Sequence, residues 1–154
     1  MNTRPMAIVT QPGVIEFHER PLPDLGPHDV RVRVKAVSIC GSDLHSYHGE
    51  WGQSKNASGH ETTGIVAECG EGVNNVDTGN RVCVECFSHC GECRFCKTGK
   101  YNLCQNLKGT SGGGHSGFAE YVVAHSSSLI HLPEGMSFED GAMIEPLAVS
   151  YRAF

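Results

Sequence analysis

The sequence predicts a mainly β domain, a sandwich or a partly open barrel, with short helices towards its C-terminal end. Three observations carry that prediction. Short apolar runs alternate with charged or polar residues at the two-residue period of a strand. Glycine, proline, asparagine and serine punctuate those runs at close intervals. With 19 glycines and only 19 % charged residues in 154, the composition suits a turn-rich β protein better than a helical bundle or a disordered tail. The length suits one domain with a sizeable core.

Taken in order, "AIVT" and "VIEFHE" flank "QPG" and read as a hairpin. "DVRVRVKAVSIC" is the clearest strand, because Val30, Val32 and Val34 alternate with Arg31, Arg33 and Lys35. "GSDLHSYHG" follows it and reads as a short helix, capped by Ser42 or Asp43. "GIVAECG", "NRVCVE" and "FAEYVVA" are further strands between turns. In "SFEDGAMIEPLAVSYRAF", running to Phe154, Ser137 and Asp140 have capping-box spacing and Pro146 suits a first helical turn.

A formal charge of −5 gives no basic footprint for nucleic acid or an anionic membrane. No run reaches the roughly 18 apolar residues of a membrane span. "MNTRPMAIVTQPG" lacks the pattern of a secretory signal, so a cytoplasmic setting is expected. In that reducing compartment, eight cysteines read as metal ligands or free thiols rather than disulfides.

Four of them, Cys90, Cys93, Cys96 and Cys104, stand as C-x2-C-x2-C followed by a fourth after seven residues. That spacing suits zinc, an iron–sulfur cluster or a disulfide cage. The bacterial cluster pattern continues with x3-C-P, whereas Gln105 follows Cys104 here, which favours zinc. Four thiolates fill a tetrahedral sphere and leave no place for a substrate, so this would be a structural clamp. A reactive metal needs donors elsewhere. Cys40 ends the best strand, and His60 lies in "SGHETTG" where glycine permits a tight backbone. His18, His28, His125 and His131 read as surface or packing residues, as do Cys69, Cys83 and Cys86, with Cys83 a small apolar side chain in a strand. Tyr47 and Trp51 can line a pocket or simply pack.

The ordered set "CGSDLH", "GHETTGIVAECGEGV", "GNRV", "CGECRFCKTGKYNLC", "SGFAEYVV" and "IEPLAV" resembles the zinc-dependent medium-chain alcohol/polyol dehydrogenase family over nearly the whole chain. More narrowly, it is similar to the sorbitol- and threonine-dehydrogenase-like branches. The resemblance implies a GroES-like catalytic domain over 1–154, a partly open β-barrel with a zinc lobe at about 86–108. It implies a catalytic zinc at Cys40 and His60, with Glu145 at the third protein-ligand position and Glu61 as direct or outer neighbour. Ser42 and His45 resemble the family's proton relay, and Asp43 a partner that orients a metal-bound histidine.

By the same resemblance the activity is NAD(P)-linked oxidation of a secondary alcohol or polyol to a ketone, with zinc as Lewis acid. One thiolate, one imidazole and one carboxylate leave a fourth position for the alcohol oxygen. NAD or NADP would be bound by a Rossmann domain that these residues do not contain. The G-x-G-x-x-G at Gly112, Gly114 and Gly117 is followed by a strand pattern instead of a helix, so it reads as a loop. The 154-residue piece alone is therefore expected to be inactive, and the parent protein a homo-oligomer. The rivals are a non-enzymatic zinc-binding or interaction module and an iron–sulfur electron carrier.

Overall fold

A computed structural model describes residues 3–50, 59–109 and 116–153. The chain opens with a hairpin of β1 (Thr3–Gln11) and β2 (Val14–Pro21), turning at Pro12 and Gly13 as the "QPG" signal predicts. Strand β3 (Asp29–Ser38) leads into helix α1 (Gly41–His48). Strands β4 (Glu61–Cys69) and β5 (Arg81–Val84) precede a lobe framed by the two-residue strands β6 (Phe87–Ser88) and β7 (Lys108–Gly109). Strands β8 (Tyr121–His125) and β9 (Leu129–His131) complete the β structure of the described residues, and helices α2 (Phe138–Ala142) and α3 (Ile144–Arg152) follow.

Five strands form one antiparallel sheet in the order β8-β3-β4-β5-β9. Its buried face is almost entirely β-branched: Val30, Val32, Val66, Val82, Val84 and Val122 pack with Val76, Ala124 and Leu129. Burying a valine side chain contributes about 1.5–3 kcal/mol, so this cluster is the main source of fold stability. The alternation read in β3 is the one observed, with Val30 and Val32 fully buried and Arg33 and Lys35 exposed. Register shifts between β3 and β4 at Arg31/Val32 and at Val34/Ala36 increase the local twist and curl the sheet. The β1–β2 hairpin joins that curl: Ala7 N–H donates to the Phe118 carbonyl at 2.8 Å, and Met6 bridges Ala119. The product is a mainly β, GroES-like arrangement of open sheets.

The helices differ from expectation in detail. The N-cap of α1 is Cys40, not Ser42 or Asp43. Asp43 instead reaches back from the first turn, and its Oδ2 accepts from Cys40 N–H at 3.1 Å. The C-terminal segment is two helices: Ser137 caps α2, accepting from Asp140 N–H at 3.0 Å, and the chain breaks at Met143 before α3 starts. Pro146 does lie in the first turn of α3, and Phe154 falls outside the described residues. The strands β6, β7 and β9 are too short to show a period in the sequence.

Candidate metal centres

The ends of three sheet strands meet at one place. Ser38 pairs with Glu61 where β3 leaves and β4 enters the sheet, so Cys40 and His60 stand side by side just beyond the ladder. Thr62 pairs with Val84, and β5 therefore delivers Glu85 and Cys86 to the same sheet end. The donor atoms of Cys40, His60 and Glu61 all lie within 4.8 Å of one another. Tetrahedral zinc with such ligands sets its donors roughly 3.4–3.6 Å apart, a small contraction of this group. Glu61 is only 4 % exposed, and a buried carboxylate calls for a cation or hydrogen bonds around it.

Glycine makes that corner possible. Gly59 has φ +57, and a side-chain carbon on it would sit 2.6 Å from the Phe118 backbone nitrogen. Opposite it, a Cβ on Gly117 would fall 1.9 Å from Thr62 Oγ1, which donates to the Gly59 carbonyl at 2.5 Å. Gly117, the last glycine of the G-x-G-x-x-G match, thus serves close backbone packing behind His60. Gly112 and Gly114 lie outside the described residues, and β8 follows as a strand rather than a helix.

Ser42 and His45 sit three residues apart on α1, a spacing that puts them on one helix face. The His45 ring is half exposed, and its Nδ1 pairs with Glu50 Oε2 at 2.5 Å. Glu145, in the first turn of α3, is not part of the three-donor group. Its Oε1 accepts from Cys86 Sγ at 3.7 Å. Burial first, and then the Glu145 charge, push the Cys86 thiol up to about 12, so it stays protonated. Burial and Glu145 likewise raise Cys83 to about 11, in keeping with its reading as a small core side chain. Cys86 and Glu50 are the two neighbours that sequence reasoning missed. Neither stands in a recognisable spacing, and only the fold brings them to Glu145 and His45.

The second cluster is local. Cys90, Cys93, Cys96 and Cys104 also place their sulfurs within 4.8 Å of one another. Cys90 and Cys104 are 3.5 Å apart, Cys93 and Cys96 3.5 Å, and Cys90 and Cys96 3.9 Å. Zinc–sulfur bonds of 2.3 Å in a tetrahedron require sulfur–sulfur edges of about 3.8 Å, which these thiols already approach. Backbone amides of Cys90 and Asn106 donate to Cys104 Sγ, each at 3.3 Å. Amides of Cys96 and Gln105 lower Cys93 to about 6, whereas burial and its thiol neighbours hold Cys96 up near 12. Four thiols this close share protons instead of ionising together, and a divalent cation would replace those protons.

An apolar cleft of about 350 Å³ lies between the hairpin and α1, walled by Ile8, Ile15, Phe17, Leu44, Tyr47 and Phe118. Ile39 and Asp43 bring it up to the segment that carries Cys40. Tyr47 is therefore a wall residue, held by its hydroxyl donating to the Gly13 carbonyl at 2.9 Å, and Trp51 lies outside the described residues. No helix among the described residues is long and apolar enough to cross a membrane.

Comparison with known proteins agrees with this geometry. The family model for the alcohol dehydrogenase GroES-like domain matches residues 26–134. A sorbitol dehydrogenase of Halalkalibacterium halodurans is 41 % identical over 150 residues, covering 95 % of this chain and 44 % of its own length. Galactitol-1-phosphate dehydrogenase of Escherichia coli superposes with a TM-score of 0.85 at 30 % identity, covering 97 % of this chain and 44 % of that one. An E. coli alcohol dehydrogenase solved with NADH gives a TM-score of 0.83 at 32 % identity, over 98 % of this chain and 44 % of that one. The chain thus spans less than half the length of these relatives. The matched domain and the identity across nearly all of these residues place the chain in the zinc-dependent medium-chain alcohol/polyol dehydrogenase family.

Proposed function

We propose that this chain is the catalytic domain of an NAD(P)-linked alcohol dehydrogenase acting on a polyol or related secondary alcohol. The observation that carries the reading is the three-donor group at Cys40, His60 and Glu61, distinct from a four-thiol group that would be closed. Cys40 as thiolate, His60 as neutral imidazole and Glu61 as carboxylate would hold zinc and keep a fourth position free. A zinc there supplies Lewis acidity towards an alcohol oxygen, and a nicotinamide supplies the hydride acceptor. Asp43 fixes the Cys40 backbone at the start of α1 and so sets where the thiolate points. Ser42 and His45 pass the alcohol's proton outward, with Glu50 stabilising the imidazolium and solvent taking the proton from the half-exposed ring. Cys90, Cys93, Cys96 and Cys104 would hold a structural zinc.

The nicotinamide would be held by a further Rossmann domain, consistent with relatives more than twice as long as this chain. The exposed apolar residues Leu147, Val149 and Tyr151 on α3 suit contact with such a domain. Relatives named sorbitol dehydrogenase and galactitol-1-phosphate dehydrogenase favour a polyol, and one named L-threonine 3-dehydrogenase keeps the reading in the sorbitol- or threonine-dehydrogenase-like branches. Elemental analysis with an optical spectrum tests the metal reading. Two zinc ions per chain and no visible absorption are expected, one for each cluster. One tightly held zinc would favour a non-enzymatic zinc-binding module, and iron with a brown colour an electron carrier. The 154-residue chain alone is expected to show no NAD(P)-dependent oxidation of sorbitol, and measurable turnover would overturn the need for a second domain.

A further inference from the structure

Glu145 lies outside the group of Cys40, His60 and Glu61, and its carboxylate meets Cys86, two residues beyond the Val84 that pairs with Thr62. Cys86 reaches the sheet end because the β4–β5 ladder, Thr63 with Cys83 and Thr62 with Val84, runs out there. Glu145 comes to it on the first turn of α3. Its charge acts on both Cys83 and Cys86, so the carboxylate faces the end of β5 and not open solvent alone. A fourth donor, itself negative, beside a three-donor metal group competes with substrate for the open position. Something must decide which way that carboxylate turns.

We propose that Cys86 is a positioning residue that holds Glu145 out of the metal group through its thiol hydrogen bond, and so keeps the fourth position open. A thiol is a weak donor, but a single side-chain rotamer needs only a small bias to be populated. With the donor removed, the carboxylate is free to turn onto the metal and exclude an incoming ligand. The inference rests on the metal reading above and adds a role for a cysteine that is not itself a ligand.

The test uses the whole 154-residue chain with zinc in the four-cysteine lobe and cobalt(II) in the second group. Azide titrated against the cobalt spectrum probes the open position without any enzymatic turnover. Azide affinity is expected to be the same in wild type and Glu145→Gln, since the carboxylate is already held aside. It should fall at least tenfold in Cys86→Ala and return in Cys86→Ala/Glu145→Gln. Cys86→Ser, which keeps a donor and serves if the alanine variant folds poorly, should stay within twofold of wild type. Azide affinity unchanged in Cys86→Ala, or a loss that persists in the double variant, would overturn the latch while leaving the metal reading intact. Absence of any thiolate-to-cobalt band that Cys40→Ser removes would overturn the metal reading, and the latch with it.

Discussion

The two donor groups are built in opposite ways. The four cysteines of the lobe come from one continuous loop between β6 and β7, whose regular structure is limited to 3-10 turns such as Cys96–Thr98. Cys40, His60 and Glu61 come from the ends of two long strands anchored in the valine core. A loop with Phe87, Tyr101, Leu103 and Leu107 exposed has little core of its own, so its order depends on what binds its sulfurs. The strand-end group is anchored beside the Ser38–Glu61 pairing of the main sheet. A closed, local group of four thiols suits a structural role, and an open group drawn from two strands suits a reactive one.

The largest effect that can break this contrast is expected in the lobe. Cys93→Ser should strip zinc from that site and melt the loop, because structural zinc in small folds contributes roughly 10–16 kcal/mol of apparent binding free energy at pH 7. Metal content and amide exchange across 90–104 report it, and the five-stranded sheet should remain protected. If the sheet unfolds together with the loop, the two regions are not separately built.

Thiol reactivity sharpens the contrast next. In the metal-free chain Cys93 at about 6 is mostly thiolate at pH 7, whereas Cys86 at about 12 is a thiol. Their thiolate fractions differ by about five orders of magnitude, and the lower nucleophilicity of the low-pKa thiolate returns two to three of them. Iodoacetamide should thus label Cys93 about a hundredfold faster than Cys86, read by mass spectrometry. Raising pH towards 10 increases the thiolate fraction at Cys86 and hardly changes it at Cys93, so the gap should narrow. Zinc should protect Cys93 and leave Cys86 as it was.

Asp43→Ala is intermediate. Asp43 is 4 % exposed and accepts from the Cys40 amide, so its loss leaves a donor without its partner at the start of α1. About 1–3 kcal/mol of stability should go, measured by urea unfolding. Cobalt affinity of the strand-end group should fall as well, because Cys40 is no longer pinned. Unchanged cobalt affinity would mean that the thiol is placed by β3 alone.

How much of this was legible in the sequence follows the same division. The four lobe cysteines announce themselves because their donors are neighbours in the chain. Val30, Val32 and Val34 likewise announce β3, since burial alternates with the period of the strand. Cys40 and His60 were found through motif order, and their proximity depends on the Ser38–Glu61 pairing that no local pattern reveals. Glu145 matched the family position for a ligand, yet the structure groups Glu61 with Cys40 and His60 and sets Glu145 against Cys86, a long-range contact that no local pattern reveals. Cys86 read as an ordinary surface or packing residue because nothing in "NRVCVECF" says which residue of α3 will lie against it.

The smallest expected effect on stability is the most telling for function. Cys40 is the N-cap of α1, and serine is among the best residues for that position. Cys40→Ser therefore keeps the helix start, and Asp43 can still accept from the residue-40 amide. With the strand-end group empty in both proteins, unfolding free energy should stay within about 0.5 kcal/mol of wild type, as for an unstrained exchange outside the core. Serine is nevertheless a poor zinc donor, so metal content should drop from two ions to one, with the lobe still loaded. A stable chain missing only the second metal is what a sheet-built, open group predicts. If both ions remained bound, Cys40 would be a helix cap and nothing more. If the protein unfolded, the strand-end group would be a structural clamp like the lobe, and the contrast between the two would disappear.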